Sequence, residues 1–242
     1  MRFLAAAAVL ASCATAAAPR PQPQPATTSL TDKQIFRIGL DALVDIVVIR
    51  DTDDGMVMGC GSGAVIGYDK NHAQIVLTAA HIFKDANEHP LVRVSNDEQF
   101  GKTAPSSMGT VVAFDKKVDL ALVRLTENLP RKAVGLGVTL EQGDPLWWFG
   151  NPDEAPTSFG KGFLTRLHYP GKKRSYQQFQ GFAFPGSSGG PVLDEHGGIV
   201  GVVAAVDVVE DPSDEEHHIY ITDIAYMTGQ PEIAAFLKKA GL

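Results

Sequence analysis

Cysteine is nearly missing from this chain: there are two in 242 residues, Cys13 and Cys60. If Cys13 is lipidated or removed with a leader, no disulfide can form, and the folded part must stand on its apolar core alone. Positive charge is also in deficit, with 21 Lys and Arg against 28 Asp and Glu and a formal net charge of −7. A surface of that sign repels phosphate backbones, which excludes nucleic acid as a partner. Apolar runs are short, and the longest near the N-terminus, Phe3 to Ala11, falls well below the roughly 18 residues of a membrane-spanning helix. No phosphate-binding loop is present, because Gly59-Cys60-Gly61-Ser62-Gly63 lacks the following lysine and opens a strand over 64–67 instead. No metal or cofactor is implied either. The acidic stretch Glu210 to His218 ends in two adjacent histidines, which on a strand would face opposite ways, so it reads as a solvated loop.

The first 30 residues have their own logic. Arg2, the Phe3–Ala11 run and small residues at Ala14-Thr15-Ala16 or Ala16-Ala17-Ala18 form a secretory signal. Within it, Leu10-Ala11-Ser12-Cys13 resembles a bacterial lipobox, which implies lipidation at Cys13, with simple signal-peptidase cleavage as the alternative. Residues 14–30 include Pro19-Arg20-Pro21-Gln22-Pro23-Gln24-Pro25, an extended tether. Export across the inner membrane, to a periplasmic or membrane-anchored location, is the expectation.

The rest, roughly 210 residues, is ample for one large core or two small ones. Helical spacing of Ile35, Ile38 and Leu43 behind Thr31-Asp32 predicts a short helix from Thr31 to about Leu43. Short apolar runs punctuated by Gly, Pro, Asn and Asp then predict two sets of six strands. The first comprises Ile46–Ile49, Gly63–Ile66, Ile75–Leu77, Leu91–Val94, Thr110–Phe114 and Ala121–Leu125. The second comprises Pro145–Phe149, Gly162–Leu167, Tyr176–Phe179, Pro191–Leu193, Ile199–Ala204 and His218–Thr222. Pro231 to Ala240 reads as a closing amphipathic helix stopped by Gly241.

Chemistry is concentrated in three segments. Phe184-Pro185-Gly186-Ser187-Ser188-Gly189-Gly190-Pro191 can project a serine hydroxyl from a glycine-rich turn whose backbone N–H groups converge. Thr78-Ala79-Ala80-His81 closes one strand, and Asp119 opens another. A serine hydroxyl is a poor nucleophile, so it needs a base; histidine, which titrates near neutrality, suits that role, and a carboxylate can fix the tautomer of the ring. His72, His89, His168 and His196 lie in loop-like contexts and read as surface residues.

These three segments together resemble the chymotrypsin-like (trypsin-like) serine proteases, and the lack of disulfides draws the resemblance toward the bacterial HtrA/Deg-type branch, without a PDZ domain. It implies an all-β fold of two antiparallel six-stranded barrels with a C-terminal helix. Residues 1–13 would be the signal, 14–30 the tether, 31–138 the first barrel with His81 and Asp119, and 139–242 the second barrel with Ser188 and the helix. The resemblance implies a secreted or anchored serine endopeptidase, with His81, Asp119 and Ser188 as triad, Gly186 and Ser188 N–H groups as oxyanion hole, and polypeptides as substrates. An inactive protease-fold binding protein is the alternative, and the oligomeric state is left open. Departures are informative: Ser187 stands where digestive members carry an aspartate, so their zymogen switch should be absent, and Ala204 stands where a serine often supports the catalytic aspartate. An ungapped alignment puts Phe182 on the floor of the specificity pocket, followed by Ala183, with Val203, Ala204 and Val206 along its side. That pocket would be apolar and shallow, suited to small aliphatic residues.

Overall fold

The computed structural model describes residues 29–52, 55–94, 104–151, 157–168, 176–210 and 219–242. The expected signal with Cys13, most of the expected tether, and the acidic run from 211 to His218 lie outside the described residues.

The chain enters through helix α1, Asp32–Ala42. Thr31 caps it: its hydroxyl accepts the Gln34 N–H while the Gln34 side chain accepts the Thr31 N–H, so two of the orphaned N–H groups of the first turn are satisfied. Ile35, Gly39 and Ala42 form its buried stripe. Gly39 is required there, because a Cβ would stand 2.1 Å from the ring of Phe149. Leu43, expected as the last helical contact, is instead the first residue of a strand.

Strands β1 (Leu43–Thr52), β2 (Gly55–Tyr68), β3 (Gln74–Thr78), β4 (Leu91–Val94), β5 (Ser106–Asp115) and β6 (Leu120–Leu125) close an antiparallel barrel in the order β1-β2-β3-β6-β5-β4. Strands β7 (Pro145–Gly150), β8 (Ser158–Arg166), β9 (Gln177–Gln180), β10 (Pro191–Leu193), β11 (Ile199–Glu210) and β12 (Ile219–Gly229) close a second in the order β7-β8-β9-β12-β11-β10. The second barrel thus repeats the strand order of the first. The expected fold, two six-stranded antiparallel barrels and a C-terminal helix, is borne out.

Several strands run longer than their apolar runs. The β1–β2 pairing continues from Ile49↔Met58 to Thr52↔Gly55 as a two-stranded arm. Ile49 and Met56 on it are 60% and 77% exposed, so the hydrogen-bonded ladder extends without the burial that makes a strand visible as hydrophobic alternation. On β12, Asp223 interrupts the apolar pattern, yet pairing continues to Gly229, and Tyr226, Met227 and Thr228 are buried.

Helix α2, Gln230–Ala240, starts with Pro231 in its first turn and ends at Gly241, in the left-handed conformation at φ 81°. Its Ile233, Phe236 and Leu237 join one apolar cluster with Leu43 and Ile46 of the first barrel and Trp147, Phe149, Leu193 and Val202 of the second. The barrels therefore share a core seam, and each fully buried aliphatic side chain in it contributes about 1.5–3 kcal/mol. No disulfide is needed for that seam, and Cys60 forms none.

The arm is tied down by Arg50, whose guanidinium meets the Glu88 carboxylate at 2.5 and 3.1 Å and the Ile82 carbonyl at 2.5 Å. Burial pushes the Glu88 carboxyl up, but the Arg50 guanidinium and the Lys84 N–H more than offset this and hold it below its usual range. A carboxyl lowered on folding stabilises above the unfolded pKa, and that contribution is lost as the pH falls through the folded value. Glu88→Gln is therefore expected to lower Tm by about 2–4 °C at pH 7. The gap to wild type should close below about pH 4. A gap independent of pH in thermal melts would contradict this.

Candidate active site

His81 sits in a short 3-10 turn, Ala80–Ile82, just after β3. Asp119 immediately precedes β6, the strand paired with β3, so the sheet register itself brings the two together: Thr78 faces Ala121 across the ladder. The Ala80 N–H donates to the Asp119 carbonyl at 3.2 Å. The His81 N–H donates to Oδ1 at 2.9 Å, and the ring Nδ1 lies 2.9 Å from Oδ2. This clamp holds Asp119 at φ 63°, a left-handed conformation unusual for a residue with a side chain. Asp119 is fully buried, whereas the His81 side chain is about one-third exposed. With Nδ1 turned to the carboxylate, Nε2 is the ring nitrogen left to exchange protons elsewhere.

The serine turn belongs to the second barrel but is held by the first. Gly186 and Gly189 take φ 91° and 86°. The Ser187 N–H closes the turn onto the Phe184 carbonyl at 2.9 Å, and the buried Ser187 hydroxyl accepts the Phe184 N–H at 3.3 Å. From β2, the Ser62 N–H donates to the Ser188 carbonyl at 2.7 Å and the Ser62 hydroxyl donates to the Gly186 carbonyl at 2.8 Å. A Cβ on Gly189 would stand 2.1 Å from the Ser62 carbonyl, 2.2 Å from the Thr78 hydroxyl and 3.0 Å from Ala79 N. The turn is thus packed against the end of β3, two residues before His81. Among the described residues, the Gly186 and Ser188 N–H groups donate to no protein acceptor, so both are available to an outside one.

The expected pocket residues divide. Ala183 and Val203 are buried and, with half-buried Val206 against them, belong to the core of the second barrel. Phe182 is 53% exposed and is no enclosed floor, because the chain between β9 and the serine turn sends Ala183 inward and its neighbours Phe182 and Phe184 outward. Ala204 faces a different cluster, with Tyr176 and Tyr226, since β11 shifts register between Val203 and Ala205. The four histidines expected at the surface, His72, His89, His168 and His196, are exposed.

Three residues beside the site escaped the sequence reading. Ser62 stood in a Gly-Ser-Gly stretch indistinguishable from a turn. Tyr176, whose hydroxyl donates to Asp119 Oδ2 at 3.1 Å, looked like an ordinary strand residue. Thr228, whose hydroxyl donates to the Val118 carbonyl at 2.9 Å, lies in the part of β12 that the apolar pattern hid. The one signal available was Ala204, which marked a missing hydroxyl without naming its replacement.

Two barrels of identical strand order, with a histidine backed by a buried aspartate on one and a glycine-rich serine turn on the other, define a chymotrypsin-like architecture. The chain belongs to the trypsin-like peptidase domain family, which it matches over residues 61–202. It is 29% identical over 161 residues to HhoB of Synechocystis sp., across 63% of this chain and 36% of that protein. To a protein of Staphylococcus aureus named serine protease HtrA-like it is 30% identical over 162 residues, across 60% of this chain and 20% of that one. The chain therefore spans little more than a third of the first relative and a fifth of the second. Its fold also resembles that of the HtrA-type protease AlgW solved with a tripeptide, with a TM-score of 0.67 at 16% identity, covering 86% of this chain and 63% of that one.

Proposed function

We propose that this protein is a serine endopeptidase that cleaves polypeptides through an acyl-enzyme. The Ser188 hydroxyl attacks the peptide carbonyl while His81 Nε2 takes its proton. The carbonyl oxygen, now an anion, accepts the Gly186 and Ser188 N–H groups. His81 then returns the proton to the leaving amine, and a water activated by the same ring hydrolyses the ester, freeing Ser188. Asp119 orients the ring and stabilises the imidazolium. The observation that carries this reading is the His81–Asp119 contact at 2.9 Å beside a serine turn hydrogen-bonded to Ser62 of β2 and packed against the end of β3, which leads into His81. Labelling with a fluorophosphonate probe, wild type beside Ser188→Ala, tests it.

The substrate residue before the cut is proposed to be small and aliphatic. The residues that the resemblance places around it, Phe182, Ala183, Val203, Ala204 and Val206, carry no charge, and burying an uncompensated charge costs several kcal/mol, while one methylene more or less changes binding by about 1–3 kcal/mol. A peptide series varied at that residue is expected to rank Val, Ala and Leu above Phe, and all above Lys, Arg and Glu. Val206→Gly should raise activity toward Phe and Leu relative to Ala. A wild-type preference for Lys or Arg would overturn the assignment and point to Asp207.

Export and anchoring through Cys13 complete the reading, supported by the lipobox-like Leu10-Ala11-Ser12-Cys13 ahead of a proline-rich tether. One acyl-bearing terminus supplies membrane attachment. Cys13→Ser is expected to move the protein from the detergent-extracted to the soluble fraction. Wild-type protein found soluble with an N-terminus near Ala17 would refute the anchor.

A further inference from the structure

Asp119 is a buried carboxylate, and such a group holds one orientation only when its oxygens are engaged from several sides. From the first barrel, the His81 N–H engages Oδ1 and the ring Nδ1 faces Oδ2. Another contact comes from the second barrel: the Tyr176 hydroxyl, just ahead of β9, donates to Oδ2 at 3.1 Å. Oδ2 is also the oxygen that faces His81 Nδ1. Ala204, where the family resemblance supplies a serine, lies in the same small buried cluster as Tyr176 and Tyr226. The two positions are complementary in volume: a methyl group at 204 leaves room for the phenol ring from 176, and the hydroxyl missing at one reappears at the other.

We propose that Tyr176 is the positioning residue of the catalytic carboxylate, taking over the donor that Ala204 lacks; the proposal rests on the peptidase reading above. The phenol fixes the rotation of the Asp119 carboxylate so that Oδ2 stays directed at the imidazole. It also helps to hold the negative charge that must face the imidazolium when Ser188 gives up its proton. Because Tyr176 belongs to the barrel that carries Ser188, it references the acid of one barrel to the nucleophile of the other. The Thr228 hydroxyl acts in parallel, donating from β12 to the carbonyl of Val118, the neighbour of Asp119.

The test compares wild type, Tyr176→Phe, and Tyr176→Phe combined with Ala204→Ser. Phenylalanine keeps the ring and removes the donor, and serine at 204 offers a hydroxyl beside the vacated place. Tyr176→Phe is expected to lower kcat about tenfold, the scale of a hydrogen bond to a charged group, with KM changed less than twofold. The downfield proton resonance of the His81 Nδ1–H should shift or broaden. The double variant should recover most of kcat. Wild-type kcat and an unchanged resonance in Tyr176→Phe would overturn the proposal, as would a loss of kcat that the double variant leaves unrepaired. Unfolding of both variants by circular dichroism would make Tyr176 a packing residue and overturn it equally. If wild type itself failed to label at Ser188, the peptidase reading would fall, while the His81 resonance would still decide whether Tyr176 holds the pair.

Discussion

Ser188→Ala is expected to abolish peptide hydrolysis and fluorophosphonate labelling, by on the order of 10⁵–10⁶ in kcat, and to leave the fold intact. The two halves of that expectation have separate physical reasons. Chemically, the alcohol oxygen is the atom that forms the acyl bond, and no remaining group in the turn replaces it. Structurally, Ser188 is held through its backbone, whose carbonyl accepts the Ser62 N–H at 2.7 Å, and alanine keeps that bond. His81→Ala should lose activity comparably, because members of such a unit act together. Ser187→Ala is the control: its hydroxyl is buried and accepts the Phe184 N–H, so labelling should persist with the turn loosened. Peptidase activity surviving in purified Ser188→Ala would sink the assignment.

Gly189→Ala should do more damage to the molecule than Ser188→Ala, although it removes no chemistry. A left-handed φ of 86° penalises any side chain by about 1–2 kcal/mol. The added methyl would also meet the Ser62 carbonyl at 2.1 Å and the Thr78 hydroxyl at 2.2 Å, both within the first barrel. The backbone oxygen cannot swing aside, because the Thr78 hydroxyl donates to it at 2.6 Å. Relief requires the serine turn to lift off β2, which breaks the Ser62 contacts to Gly186 and Ser188 together. The expected result is a loss of about 3 kcal/mol or more in stability and a fall in probe labelling on the order of a hundredfold. Differential scanning fluorimetry and labelling rates check it, and wild-type values in both would show that the turn does not pack as described.

Much of this was readable from residue order. The twelve strand cores and both helices followed from apolar runs and their punctuation, because strands buried in a barrel must be apolar where they face the core. The strand ends did not, since the β1–β2 arm and the last residues of β12 are held by backbone pairing, which leaves little compositional trace. His81, Asp119 and Ser188 stood out through their surroundings: strand ends and a Gly-Ser-Ser-Gly-Gly turn are unusual places to combine these side chains. The pocket was harder. Placing Phe182 required knowing which side of the chain faces inward between β9 and the turn, and the packing of Ala183 decides that.

The sequence by itself determined the strand count and the order His81, Asp119, Ser188, properties of residue type and local spacing. Tertiary structure alone decided how the two barrels support each other's half of the site. Ser62 is 124 positions from Gly186, and Tyr176 is 57 from Asp119; bonds at such separations exist only once both barrels have closed and met along their shared core. A hydroxyl on a serine or tyrosine has no local pattern that announces its partner, so the donor that replaces Ala204 could be found only where the folded chain brings it.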